Sequence, residues 1–364
     1  MKFKNAAFSV TIITSLLFSS SVSAESESSL ETVNEQEGVV IQNKLGVSQN
    51  EINEFITEAT NEVQKEKLTK SLKGLASYSE RIYDYISVEE NGYYFYEEDA
   101  SHSKKAFFVP IDRSKSNIDP SIDAGSVTED VYMKEGLISP LANTGADLPD
   151  GIGGRQYIVK NGSYISTSAT IAAPSQVSRD SNENAYTYTG FMAGANSADM
   201  GLMYDSNVGI GSAEKGWKPA VQINGVTTNS SLESPYNQVQ SSNAYLAGSQ
   251  ATFYAWYNYN MKIRLKIDGT AICADLGCGN SADTPLTTIV TSNTSYNIQP
   301  SSFQKWKVLS VVTGDNIGKN KSVFSNIKVD GVPVPSSSFP APDQDYATVI
   351  RDASNNVTIS VTGL

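Results

Sequence analysis

Phe253-Tyr254-Ala255-Trp256-Tyr257-Asn258-Tyr259 is the stretch from which the fold of this 364-residue chain is read. It is rich in aromatic residues and free of Pro and Gly, as strands are. Successive side chains of a strand point to opposite sides, so Phe253, Ala255, Tyr257 and Tyr259 share one face and Tyr254 and Trp256 the other. One face must be core. The other is either buried too, under neighbouring elements, or an open ring platform of the kind that stacks sugar faces. Trp217, in Gly216-Trp217-Lys218-Pro219, and Trp306 present the same two alternatives.

Further short strand-like runs lie on either side of this one. Before it come Tyr157-Ile158-Val159, Tyr164–Ile171, Ala185–Met192, Met200–Tyr204 and Trp217–Ile223. After it come Met261–Ile267, Leu286–Thr291, Trp306–Val312, Ser322–Val329, Ala347–Arg351 and Val357–Val361. Asn161-Gly162, Asn224-Gly225, Asp268-Gly269 and Asp330-Gly331 are pairs that suit tight turns and hairpin joins. No helical stripe interrupts the series, which excludes a βαβ fold and predicts one antiparallel β-sandwich, jelly-roll or concanavalin-like, over 151–364.

The N-terminal part reads differently. Lys2 and Lys4, an apolar run from Ala6 to Phe18, and the small residues of Val22-Ser23-Ala24 form a secretory signal over 1–24. That run is too short to cross ~30 Å of hydrocarbon, so membrane insertion is not expected. Residues 25–44 read as a disordered lead-in, rich in Glu, Ser and Gln without a period. Ser48-Gln49-Asn50-Glu51 fits a capping box that opens a helix. Ile52, Phe55, Ile56, Ala59 and Val63 follow at helical spacing, with Leu68, Leu72 and Leu75 extending the stripe and Ile82, Tyr85 and Ile86 ending it. An Asn91-Gly92 hairpin and a strand from Ala106 complete a small α+β unit at 45–111. Residues 112–150, punctuated by Ser, Asp, Gly and Pro, read as a linker.

Charge and residue supply narrow the chemistry. Between Glu25 and Pro140 there are 23 acids and 11 bases, against 16 and 14 from Leu141 onward. Nucleic acid and anionic lipid both need a basic face, so neither is an expected partner. The single histidine, His102, lies outside the β-rich region in a polar loop. That removes Ser-His-Asp catalysis, histidine bases and His-ligated zinc from the sandwich. Cys273 and Cys278, with four residues between them, are expected to close a disulfide worth roughly 2 kcal/mol. Glu183, Glu214 and Glu233 are the only glutamates after Leu141, and no E-x-D-x-E alternation sets a carboxylate pair on one strand for glycoside hydrolysis. No metal or other cofactor is expected. Asp343 and Asp345, or Asp205-Ser206-Asn207, are the nearest approach to a calcium ligand set.

Two resemblances attach to these residues. Ala255-Trp256-Tyr257, followed by a polar residue and another aromatic, is similar to a strand of the glutamic peptidases, the eqolisins, which are concanavalin-like sandwiches. In that pattern a glutamate stands where this chain has Asn258, and the second eqolisin signature, Ala-Glu-Trp-Ile, has no match here. Gly190-Phe191-Met192-Ala193-Gly194, Met200-Gly201-Leu202-Met203-Tyr204 and Gly216-Trp217-Lys218-Pro219-Ala220 resemble the secreted YrpD-type proteins of bacilli, Gram-positive organisms. This resemblance implies fold and export, and it brings no catalytic residues.

The expected function is that of a secreted, extracellular, non-catalytic protein that binds a glycan or cell-envelope polymer. Trp217, Tyr254, Trp256 and Tyr204 are its candidate ligand-binding residues. The alternative is a secreted hydrolase, glycosidase or glutamic-peptidase-like, using paired carboxylates or a Gln/Glu pair with Glu183, Glu214 or Glu233. A third reading makes 48–111 a docking or pro-region that masks the sandwich.

Overall fold

Alternating inward and outward side chains organise nearly all of this molecule. The computed structural model describes residues 32–34, 38–42, 47–72, 81–110, 151–178, 184–194, 196–205, 216–225, 230–233, 243–273, 284–313 and 318–362. The expected signal segment and linker lie outside them. The N-terminal part runs β1 (Thr32–Asn34), β2 (Val39–Gln42), α1 (Gln49–Leu72), β3 (Ile82–Val88), β4 (Gly92–Glu98) and β5 (Lys104–Pro110). Then follow β6 (Gly151–Ile158), β7 (Tyr164–Thr170), β8 (Asn184–Ala193), β9 (Asn196–Asp205), β10 (Gly216–Gly225), β11 (Ser230–Glu233), β12 (Asn243–Leu246), β13 (Gln250–Tyr259) and β14 (Lys262–Cys273). β15 (Pro285–Ser292), β16 (Phe303–Thr313), β17 (Asn320–Val329), β18 (Val332–Pro333), β19 (Asp343–Asp345), β20 (Ala347–Arg351) and β21 (Val357–Val361) complete the order.

The expected β-sandwich is present. Its first layer runs β20-β21-β17-β7-β13-β14-β15, antiparallel throughout. Its second runs β19-β6-β16-β8-β9-β10, with β11 and β12 both on β10. β12 also pairs with the far end of β14, which joins the layers into one continuous ladder. Between them lies a single core. Phe253, Ala255, Tyr257, Leu265, Phe324 and Ile359 from the first layer meet Phe191, Met200, Leu202, Trp217, Trp306 and Val308 from the second.

Five expectations are corrected. The N-terminal unit is not separate from the sandwich: β3 pairs in parallel with β15 over seven residue pairs, and β4, β5, β2 and β1 extend the first layer from there. Part of the lead-in is ordered, because Val39 and Ile41 of β2 are buried under α1 beside β5. Ile82, Tyr85 and Ile86 belong to strand β3, with Ile82 and Ile86 in the sandwich core and Tyr85 on the helix side. That strand is buried on both faces, so its apolar run carries no period-two signal. Asp268-Gly269 is the interior of β14 instead of a turn, since the Tyr245 ring occupies the space that a Cβ at Gly269 would need. The β13–β14 turn is made by Asn260 and Met261, both at positive φ, and Asp330-Gly331 turns β17 into β18 as expected. Tyr259 leaves the core face, as described below.

Helix α1 forms where its cap and stripe predict. Ser48 Oγ accepts from the Glu51 amide at 3.3 Å, and the Ser48 amide donates to the Glu51 carboxylate at 2.8 Å. Ile52, Phe55, Ile56, Ala59 and Val63 pack on Tyr83, Tyr85, Tyr94, Tyr96, Phe108 and Ile289, on the outer side of the first layer. This second, smaller core seats the helix on β3, β4, β5 and β15, beside β14.

Candidate functional site

On β13 the core face is as expected for Phe253, Ala255 and Tyr257, while Tyr254 and Trp256 stand outward and half-buried. The register against β14 slips between Trp256 and Tyr259. A bulge of this kind turns the following residue over, so the Tyr259 ring lies edge-on to Trp256 at 5.7 Å. Tyr164, the register partner of Trp256 on β7, stacks on it at 5.3 Å, and Tyr254 stacks on its other neighbour position at 6.1 Å. Four rings therefore form one outward strip. Asn258, the residue in the place of the eqolisin glutamate, is tied down: its Nδ2 donates to Ile298 O at 2.6 Å and to Asn297 Oδ1 at 2.8 Å.

Beside the strip runs a row of charge. Lys262, Arg264, Lys266 and Asp268 alternate outward along β14. The Arg264 guanidinium carbon lies 4.3 Å from the Tyr259 ring centre and 5.7 Å from that of Trp256, and Lys266 Nζ lies 4.4 Å from the Tyr254 ring centre. Above them α1 presents Glu58, Glu62, Glu66 and Lys70. Glu58 pairs with Lys262, Glu62 with Arg264, Glu66 with Lys266 at 3.0 Å and Lys70 with Asp268 at 2.5 Å. Four residues of helix rise about 6 Å and two of strand about 6.6 Å, so the two rows keep step over four pairs. The sign of charge reverses on both elements at the last pair. Sequence reasoning missed this ladder, although its signal is present: acids every fourth residue from Glu58, bases every second from Lys262.

Burial alone would push the Glu62 carboxyl up, but hydrogen bonds from Lys65 and Arg264, with their charges, hold it below the usual carboxylate range. Asp268 behaves likewise, its burial outweighed by Lys70 and Lys266. Both carboxylates, one on α1 and one on β14, are thus ionised while the helix is docked.

The remaining predicted residues fall elsewhere. Trp217 is 0 % and Tyr204 3 % exposed. They are register partners on the core face of β10 and β9, with ring centres 5.4 Å apart, and Trp217 Nε1 donates to Ala172 O at 3.1 Å. Neither can meet a ligand, because the inward half of the alternation buries them between the layers. Asp343 is committed to Arg155, whose Nε and Nη2 reach the same oxygen at 2.8 and 2.7 Å. No cluster of three or more acidic, His or Cys side chains suited to a metal occurs among the described residues. The side chains of Cys273, Cys278, Glu183, Asp205, Glu214 and Glu233 lie outside the described part.

A second polar row, unforeseen, crosses the outer face of the other layer. Tyr157, Lys307, Gly190, Asp199 and Gln222 follow one another in register from β6 to β10, and Glu233 is the backbone register partner of Gln222 on β11. Gly190 has no side chain, and Lys307 reaches past it to Asp199 at 2.7 Å. Burial pushes the Lys307 ammonium below its ordinary range, and Asp199 opposes this. At the joint between β3, β4 and β12, Asp84 is buried beside Glu97 and accepts from Asn243 Nδ2 at 2.8 Å.

The profile of a domain of unknown function, YrpD, matches residues 145–361. The chain belongs to the YrpD family. The uncharacterised protein YrpD of Bacillus subtilis (strain 168) is 31% identical over 238 residues, covering 62% of this chain and 88% of that one. Among solved structures, scytalido-glutamic peptidase with a transition-state analogue aligns with 59% of this chain and 98% of its own at 10% identity and a TM-score of 0.37. SCP-B, an eqolisin peptidase in complex with the tripeptide Ala-Ile-His, aligns at a TM-score of 0.34 and 10% identity, with the same coverage. Likeness at that level transfers no chemistry to this YrpD chain. The family profile begins beyond α1 and β1–β5, yet its region contains the strip and all four β14 charges.

Proposed function

We propose that this YrpD protein is exported and acts without catalysis, binding a glycan or other cell-envelope polymer on the strip of Tyr164, Tyr254, Trp256 and Tyr259. One observation carries the reading: these four rings are half-open to solvent side by side, while Trp217, Trp306, Phe191 and Phe253 of the same sandwich are sealed in the core. Rings held edge to edge by their neighbours meet a ligand with little loss of side-chain freedom. Purified cell wall and a glycan array should retain the protein, and Trp256→Ala should weaken retention at least about tenfold, roughly 1.4 kcal/mol, without loss of folding. Trp217→Ala, by contrast, should cost about 3–5 kcal/mol of stability as a core truncation. Equal retention of the parent and Trp256→Ala would sink the reading.

The row on the opposite layer favours a second reading, a hydrolase. Gln222 and Glu233 are cross-strand partners next to Asp199, which Lys307 holds. Turnover of denatured protein or polysaccharide that disappears in Glu233→Gln, with folding intact, would place the function there.

A further inference from the structure

The charge ladder divides α1 into two halves held by different forces. All the apolar side chains that the helix buries, Ile52, Phe55, Ile56, Ala59 and Val63, belong to its first part. Beyond Val63 only Lys70 is buried, and Leu68 and Leu72 are 64% and 88% exposed. The second half is fastened by Glu66 and Lys70 to β14, and by Lys67 to Glu98 at 2.5 Å. Such contacts are sensitive to a competing charge in a way that a hydrophobic contact is not. What this half covers is Lys266, which Glu66 holds at 3.0 Å, and the near side of Arg264, which Glu66 approaches to 3.8 Å; Lys266 lies over the Tyr254 ring and Arg264 over those of Trp256 and Tyr259.

From this arrangement we infer that the C-terminal half of α1 is a displaceable cover, and that the surface beneath it binds an anionic glycan. The inference rests on the aromatic strip being the binding surface, and it names the chemistry of that site's ligand. The acidic face of α1 occupies the site as an internal stand-in: its carboxylates, one every helical turn, sit where acid groups along a polymer would sit. An uncharged glycan would take the Glu66 carboxylate from both cations without replacing it, leaving Lys266 only Asp268 at 4.0 Å and Arg264 only Glu62, which is costly for groups so nearly buried. A polymer with acid groups at repeat spacing replaces the glutamates one for one, while its sugar faces meet the rings. The chain's net acidity does not oppose this, because the attraction is local and screened within about 8 Å at physiological salt.

The test uses the full chain with Glu58→Gln, Glu62→Gln and Glu66→Gln together, and polygalacturonate as probe, with neutral dextran beside it. Amide exchange should speed up over residues 64–72 while β13 and β14 stay protected. Polygalacturonate should bind at least about tenfold tighter than to the parent, dextran should not, and Trp256→Ala in the same background should abolish the gain. Exchange unchanged over 64–72, or a freed helix with no gain in affinity, would overturn the inference. Should the triple variant fail to fold, the parent itself decides: saturating polygalacturonate must accelerate exchange over 64–72, and no acceleration rejects the cover. If Trp256→Ala weakens cell-wall retention while the helix variants behave as the parent, the cover is wrong and the strip's role stands. If Trp256→Ala changes nothing in either setting, both fall.

Discussion

Asp84 stands on the sandwich side of β3, in register with Glu97, and both carboxyls are nearly sealed from water. Burial, with the Glu97 charge second, raises the Asp84 carboxyl well above its ordinary range, and the hydrogen bond from Asn243 only partly opposes this. An acid whose folded value is raised makes no difference below its unfolded value. Above it the unfolded chain gives up the proton more easily, so stability falls as pH climbs. Asp84→Asn keeps the shape and removes the ionisation. The variant should therefore match the parent near about pH 4 and exceed it in urea midpoint near about pH 8; a parent at least as stable at the higher pH would refute the account. Trp217 and Trp256 teach a related lesson at this scale. In sequence both are tryptophans within strand-like runs, yet one fills the core and the other stands outward. Their difference is one of strand phase relative to a second layer, which no local pattern encodes for Trp217.

Among elements, the α1–β14 ladder is the contact whose strength is most open to measurement. Arg264 and Glu62 have side chains only 4% and 9% exposed. Removing Glu62 leaves the buried Arg264 only the Glu66 carboxylate, at 3.8 Å and shared with Lys266, so Glu62→Ala should cost about 3 kcal/mol in urea denaturation. Glu62→Ala with Arg264→Met should recover most of that loss, because no lone charge remains. Acid should weaken the same contact. The Glu62 carboxyl is held below its ordinary value, so its contribution is full at neutral pH and lost as pH falls beneath the usual glutamate range. The individual elements were largely legible. The cap at Ser48, the hairpin at Asn91-Gly92 and strands such as Ala347–Arg351 and Val357–Val361 lie where the pattern puts them. Local chemistry fixes those, through caps, turns and period. β3 was misjudged because a strand buried on both faces shows neither a helical nor an alternating stripe.

At the scale of the whole molecule, the N-terminal unit is a part of the sandwich. Seven parallel register pairs tie β3 to β15, and the ladder adds four ion pairs on the outer face. A chain cut once between residues 111 and 150 should thus elute as one species by size exclusion and separate only in denaturant. Two peaks under native conditions would restore the picture of a detachable pro-region. By itself the sequence determined that residues 151–364 form an antiparallel sandwich, where most of its longer strands lie, and that histidine chemistry is missing from it, because alternation, turn residues and composition are local properties. Which rings see solvent, which carboxylates meet a cation, and that a helix some 200 residues away in sequence covers β14 were decided only by the tertiary structure. Those facts depend on which strand neighbours which and on the phase in which two layers face each other, and a parallel join such as β3 to β15 leaves no turn between its strands to announce it.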